Sequence, residues 1–166
     1  MARRFKRKGE GIAVSLPVQE IEILRTVPDQ LGDVLRRPRD PDDPVSRRLF
    51  PTAYLDPTQE DAEQEWQELV HPELLRERLA HLDVVTDSLA RGVERRGAIE
   101  VLLSAEEVQA WLGVLNDARL ALGTSLGVTE DPDERTVDPE TPEGAGYAMY
   151  NWLTWLEGDL IETLLG

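Results

Sequence analysis

One short stretch of the sequence brings together an amide, a carboxylate and a guanidinium group: Asn116, Asp117 and Arg119. Arg119 follows Leu115 by four positions, on the apolar stripe of a predicted helix, so its side chain should face the core. A buried arginine needs a carboxylate partner, because an unpaired buried charge is very costly. The three residues therefore form either an internal polar network that fixes the packing, which we favour, or the carboxylate and arginine site of an enzyme.

Other catalytic or metal-binding chemistry has little support in the sequence. The chain has no cysteine and only two histidines, which excludes disulfides, thiolate zinc sites and thiol nucleophiles. The spacing of His71 and His81 does not place them on one helix face. Ser125 lies in a G-x-S-x-G match, but a nucleophile elbow needs a strand before the serine, and here a helix is predicted. We therefore predict no catalytic residue, no metal site and no cofactor.

Aromatic residues cluster near the C-terminal end of the sequence. Trp152 and Trp155 are neighbours on the surface of a predicted helix, because they are three positions apart. With Tyr147 and Tyr150 they would form an exposed patch for a protein partner, since tryptophan and tyrosine are enriched at interaction hot spots. The alternative is that the same rings widen the core face of this helix.

The charge of the chain is large and uneven. The formal net charge is −15, from 18 basic and 33 acidic residues. The first eight residues hold five basic residues and no acid, so the remainder holds 13 basic against 33 acidic residues, a net charge of −20. Such a surface repels phosphate backbones at long range, and a broad nucleic-acid interface is therefore not expected.

A local anion contact is still compatible with the basic N-terminal segment. Arg4, Lys6 and Lys8 would share one face of a strand, because side chains alternate along a strand. These three residues would either hold an anion or neutralise the acidic C-terminal segment of the same chain. The sequence leaves both interpretations open.

The hydrophobic periodicity predicts an α+β fold, predominantly α-helical, in which five to six helices pack with a small antiparallel sheet. Alternating apolar residues predict an N-terminal hairpin over 3–16 and a further strand near 98–103. Helical spacing predicts the other elements; Pro28 is expected to break or kink the first helix, and Pro72 to mark a break further along. The predicted helices cover residues 17–27, 29–37, 58–70, 72–94, 104–127 and 145–164.

The length of the chain predicts a single domain over 1–166. Two segments inside it lack periodicity: 38–47 is a proline-rich charged linker, and 129–145 is an acidic loop. No run approaches the ~20 apolar residues of a membrane span. No apolar signal region follows the basic N-terminus. We therefore expect a soluble cytoplasmic protein.

Four pieces of the sequence, in the same order and across nearly the whole chain, resemble an actinobacterial family of small proteins known as domain of unknown function 2017. The pieces are Arg4-Phe5 with the turn at 9–11, segment 48–54 (RLFPTAY), segment 111–123 (WLGVLNDARLALG) and segment 150–156 (YNWLTWL). The third piece is the most specific. The family has no established activity, and the resemblance carries over no catalytic residue.

The resemblance implies a cytoplasmic regulatory or adaptor role. Members of the family are often encoded beside the adaptor that delivers substrates to the Clp protease, and some are described as transcriptional regulators. Our leading hypothesis is a non-enzymatic, adaptor-like interaction module with a protein partner, linked to regulated proteolysis. The alternatives are a transcriptional regulator that contacts nucleic acid through the basic hairpin, and an enzyme with a site near Asp117 and Arg119. A homo-oligomer is left open, and neither nucleic acid nor a membrane is the expected partner.

Overall fold

The computed structural model describes residues 2–128 and 138–166 of the chain. The elements are β1 (Phe5–Lys8), β2 (Gly11–Pro17), α1 (Val18–Leu35), α2 (Pro44–Leu49), α3 (Glu60–Ala90), β3 (Val93–Arg95), β4 (Ala98–Leu103), α4 (Ala105–Leu126) and α5 (Pro142–Leu165). A short 3-10 turn at Pro57–Gln59 precedes α3. The predicted α+β fold dominated by helices is confirmed. No helix within the described ranges is long and apolar enough to cross a membrane.

One antiparallel sheet in the order β1-β2-β4-β3 contains the four strands. The N-terminal hairpin and the strand at 98–103 are confirmed, whereas β3 was not predicted, because helical spacing carries Val93 into the preceding helix. That helix, α3, ends at Ala90 instead. The chain then turns between β3 and β4 at Arg96 and Gly97, which both have positive φ angles, as type I′ hairpin turns require.

Among the described residues, the helices cover one face of the sheet. The covered face contributes seven buried side chains to the core: Phe5, Ile12, Val14, Leu16, Ile99, Val101 and Leu103. Because side chains alternate along each strand, the residues between them point to the opposite face. That opposite face carries mostly small, polar and charged residues, together with the exposed apolar side chains of Leu102 and Val93.

Trp111 of α4 lies at the centre of the core. Its side chain is 1% exposed, and its ring meets the Phe5 ring edge-on, with 6.1 Å between centroids. The indole Nε1 donates a hydrogen bond to Ser88 Oγ on α3 at 2.8 Å. This one residue therefore joins the first strand to α3 and α4.

Both predicted helix breaks are wrong. Pro28 lies inside α1, and Pro72 lies inside α3. An internal proline removes one backbone hydrogen bond and costs roughly 3 kcal/mol. In α1 this cost is offset by the burial of Ile21, Leu24 and Leu31, each of which contributes about 1.5–3 kcal/mol. The same reasoning applies to α3, because the half that follows Pro72 packs into the core.

The predicted capping box at the start of α4 is confirmed. The backbone N–H of Glu107 donates to Ser104 Oγ at 3.3 Å, and the backbone N–H of Ser104 donates to Glu107 Oε1 at 3.2 Å. The predicted end of this helix is also confirmed, since Gly127 is its C-cap, with a left-handed φ of 72°. Both ends of the helix that carries Asp117 and Arg119 are therefore fixed by local interactions.

Two further caps change the boundaries predicted for the irregular segments. Asp43 accepts a hydrogen bond from the Val45 backbone N–H at the start of α2, and Thr141 accepts one from Gly144 at the start of α5. Residues 44–47 of the predicted linker and 142–145 of the predicted loop are helical as a result, so the two predictions are wrong there. Residues 129–137 of the predicted acidic loop lie outside the described residues.

Candidate functional site

The basic N-terminal segment is largely engaged in contacts within the chain. The Arg4 guanidinium donates two hydrogen bonds to the Glu20 carboxylate, both at 2.9 Å, and lies 5.4 Å from the ring centroid of Trp155. The hydrogen bond to Glu20, opposed by partial burial, raises the pKa of Arg4. Of the two interpretations left open for Arg4, anion contact or neutralisation within the chain, the pairing with Glu20 favours neutralisation, although the acid lies on α1 and not in the C-terminal segment.

Helix α5 seals the outer edge of β1 through Asp159. The Asp159 side chain is 5% exposed, and its Oδ2 accepts hydrogen bonds from the backbone N–H groups of Arg4 at 2.8 Å and Phe5 at 3.1 Å. Its Oδ1 accepts from Arg3 Nε at 3.0 Å. One carboxylate thus satisfies two backbone donors and a guanidinium that would otherwise lie at a strand edge.

A second contact joins the C-terminal end of α5 to the same strand. Arg7 Nε donates to the Thr163 carbonyl oxygen at 3.1 Å, and Arg7 Nη2 donates to the Leu164 carbonyl oxygen at 2.6 Å. These carbonyl groups belong to the last turn of the helix, where a cation is favourable. Of the three predicted anion contacts, Lys6 and Lys8 are exposed and have no ion pair within the described ranges.

The polar cluster on α4 is divided between two separate ion pairs. Arg119 Nε donates to Glu157 Oε2 on α5 at 2.7 Å, and Arg119 Nη2 donates to Asn116 Oδ1 at 3.1 Å. The Asp117 carboxylate is buried, and its Oδ2 lies 3.6 Å from Arg78 Nε on α3. Each charge therefore has a partner on a neighbouring helix, as an internal packing network requires.

Burial has a measurable consequence for Asp117. Burial raises the pKa of its carboxyl group, and the positive groups of Arg78 and His81 oppose this shift. The native state therefore binds a proton more readily than the unfolded chain does. By linkage, the carboxyl contributes most to stability when it is protonated, and this contribution falls as the pH rises from the ordinary value of 3.8 through the raised pKa.

We expect this linkage to appear when the native chain is compared with the Asp117→Asn variant. The free energy of unfolding of the native chain, minus that of the variant, should increase as the pH falls from neutral toward 3.8. Urea unfolding at a series of pH values measures the difference. Asp83→Asn, at an exposed position on the same helix as Arg78, is the charge-matched control. A difference that is constant with pH, or that decreases on acidification, would contradict the assignment.

The four aromatic residues of α5 form no freely exposed patch. Trp152 and Trp155 are half-buried and pack against the core, and Tyr147 and Tyr150 are half-buried as well. The Tyr150 ring covers Gly123 of α4 so closely that a side chain there would lie 2.7 Å from a ring carbon. This burial agrees with the alternative interpretation, in which the rings widen the core face of the helix, and Gly123 leaves room for the Tyr150 ring.

An apolar cleft of about 330 Å³ lies between α1, α4 and α5. Its walls include Leu31, Val34, Leu122, Met149 and Leu153. Within the part of the chain that the structure describes, this lining contains no carboxylate and no histidine. The cleft therefore offers no acid or base to a bound molecule.

The open face of the sheet forms a groove of about 420 Å³. Lys6 of β1 is paired with Ala13 of β2, and Ala13 is paired in turn with Leu102 of β4. In this row a lysine and a leucine stand on either side of an alanine, so the side chains themselves create a depression over β2. Leu102 is 54% exposed and Val93 of β3 is 57% exposed, although both belong to a regular sheet.

The apolar side of this groove was not predicted from the sequence. The alternation that places Ile99, Val101 and Leu103 in the core also places Leu102 on the opposite face, so this residue was predictable. Val93 was not predictable, because its strand was assigned to a helix. No group of three or more histidine, cysteine, aspartate or glutamate side chains within 2–128 and 138–166 is arranged to hold a metal ion.

Comparison with known proteins assigns the family. The model of a domain of unknown function, DUF2017, matches residues 2–164. The chain belongs to the DUF2017 family. The resemblance carried by the four sequence pieces is therefore confirmed, over nearly the whole DUF2017 chain.

Several mycobacterial proteins are similar to this DUF2017 chain. The Mycobacterium tuberculosis and Mycobacterium bovis relatives, both named oxidative stress regulator AosR, are 30% identical to it over 137 residues. A Mycobacterium leprae relative, also designated AosR, is 30% identical over 162 residues and covers 91% of the chain. The matches to the first two relatives cover 76% of this chain but only 60% of the length of each relative. The match to the Mycobacterium leprae protein covers 69% of that protein's length. No solved structure matches the chain.

Proposed function

We propose that this DUF2017 chain is a non-enzymatic regulator of the response to oxidative stress, and that it acts by binding another protein. The observation that carries the proposal is the similarity to relatives named oxidative stress regulators, across 76% to 91% of the chain. A cytoplasmic location and a link to regulated proteolysis remain predictions from the family resemblance.

The arrangement of charged groups supports a role without catalysis. The only cluster that suggested an enzyme contains Asp117 and Arg119, and these residues are paired with Arg78 and Glu157 respectively. A general acid, a general base or an oxyanion contact must be free to meet a substrate. Groups that already neutralise each other across helix interfaces are better suited to fixing the packing.

Contact with nucleic acid through the hairpin has weaker support. Arg4 is bound to Glu20, so Lys6 and Lys8 are the two of the three predicted contacts that remain exposed. Two lysines on a chain of net charge −15 provide a small positive surface against a large repulsive one.

The composition restricts how such a regulator could respond to an oxidant. These 166 residues contain no cysteine, so neither a thiolate nor a disulfide can act as the sensor within them. In our proposal the oxidative signal reaches this chain through the protein that it binds.

Deletion of the gene in its native host tests the proposed function. We expect the deletion strain to survive peroxide less well, or to change its transcripts under peroxide, and a plasmid copy of the wild-type gene to reverse the effect. The measurements are survival and transcript levels before and after exposure. Identical survival and identical transcripts in the two strains would overturn the proposal.

A further inference from the structure

The groove on the open face of the sheet has a shape that follows from strand register. Its floor lies over β2, where Ala13 and Ser15 are the outward residues. Lys6 stands beside Ala13 on the β1 side, and Leu102 stands beside it on the β4 side. Small residues on a central strand, between long residues on its neighbours, leave a channel parallel to the strands.

The two walls of this channel differ in chemistry. The β1 wall is basic, since Lys6 and Lys8 both point outward and are exposed. The opposite wall exposes Leu102 and Val93, two large apolar side chains. Beside them, Arg95 Nε lies 3.7 Å from Glu100 Oε2, so the Glu100 carboxylate on this wall is paired. A ligand that satisfies both walls must combine negative charge with apolar groups.

We infer that this groove binds an acidic segment of a partner protein that also carries apolar side chains. The inference rests on the proposed function, because it locates the protein-binding surface of the regulator. Lysines at the rim would attract the acidic groups, and the covering of Leu102 and Val93 would bury apolar area that is now in water.

Protein is a better occupant than nucleic acid for three reasons. A phosphate backbone would gain nothing from the apolar wall formed by Leu102 and Val93. Single-stranded nucleic acids stack on aromatic rings, and no aromatic side chain is among the residues that line the groove in the described structure. The net charge of −15 adds long-range repulsion against DNA, whereas a short acidic segment carries less charge.

Binding measurements with the full chain and designed probes test the inference. The first probe is a short labelled peptide in which glutamate and leucine alternate, and the second replaces each leucine by serine. We expect the glutamate–leucine peptide to bind more tightly. The Lys6→Glu, Lys8→Glu double variant should bind the glutamate–leucine peptide about tenfold more weakly. The Leu102→Ser variant should reduce the preference for the glutamate–leucine peptide over the glutamate–serine peptide.

A matched variant on another surface provides the control. Arg47 and Arg48 are exposed on α2, so Arg47→Glu with Arg48→Glu changes the net charge by the same amount and should leave binding within about twofold. Circular dichroism checks that each variant is folded. Equal binding by the two double variants would overturn the inference, and so would tighter binding of a DNA duplex than of either peptide. A dimer of the native chain that the Lys6 and Lys8 changes dissociate would also overturn it, because the occupant would be a second copy.

Complementation separates this inference from the proposed function. If the deletion strain is sensitive to peroxide and the Lys6→Glu, Lys8→Glu gene restores resistance as well as the wild-type gene does, the groove inference fails and the proposed function stands. If deletion has no effect, the proposed function fails whatever the peptides show. Loss of rescue by this variant, with rescue retained by the Arg47 and Arg48 variant, would support both.

Discussion

Replacement of Asp159 by alanine is expected to lower the free energy of unfolding by about 3 kcal/mol or more. The carboxylate is buried and accepts hydrogen bonds from two backbone N–H groups, of Arg4 and Phe5, and from the Arg3 guanidinium. Alanine would leave the two backbone donors without a partner beside a helix that keeps water away. Urea unfolding followed by circular dichroism measures the loss.

Glu162→Ala is the matched control for Asp159→Ala. Glu162 is another α5 carboxylate near Arg3, with 3.8 Å between its Oε2 and Arg3 Nη2, but its side chain is 77% exposed. An exposed pair of this kind contributes about 0–1 kcal/mol, so the control should change stability very little. Similar losses for the two variants would show that Asp159 does not seal the edge of β1.

The second large effect is expected for Trp111→Ala, which should cost about 3–5 kcal/mol. The side chain is 1% exposed, so its removal leaves a cavity at the junction of β1, α3 and α4 and leaves the Ser88 hydroxyl without the indole donor. Unfolding by urea at neutral pH gives the difference between the native chain and the variant.

Two further variants separate cavity from hydrogen bond at this position. Trp111→Phe keeps most of the ring volume and removes the Nε1 donor, so we expect a smaller loss than with alanine. Trp66→Ala removes the same side chain from a position where it is 42% exposed, and this should cost much less. A loss at Trp66 as large as that at Trp111 would contradict the placement of Trp111 at the centre of the core.

Local patterns were sufficient to predict the helix-dominated fold but not the path of the chain through its prolines. Short-range alternation predicts the hairpin and the strand at 98–103. Local capping predicts the capping box formed by Ser104 and Glu107. Pro28 and Pro72 are disfavoured inside helices by local sterics alone. The burial that offsets their cost comes from residues distant in sequence, and no window around either proline contains that information.

The candidate sites show the same division between local and distant information. Sequence spacing placed Arg4, Lys6 and Lys8 on one strand face, but β1 begins at Phe5 and contains only the two lysines of this set. The spacing could not show that Glu20 neutralises Arg4, because that contact depends on how α1 packs against the strand. Burial of the Tyr150 ring likewise depends on Gly123 of α4, and this contact cannot be predicted until the two helices are placed side by side.

The seal on β1 also limits when the molecule can finish folding during synthesis. The Arg4 N–H and its acceptor on Asp159 are separated by 155 residues, so the ribosome must synthesise the chain at least as far as Asp159 before they can meet. Until then the first strand has an unpaired edge, which is the kind of surface that promotes association between nascent chains. Chaperone access to the hairpin during translation should therefore matter more for this fold than its small sheet would indicate.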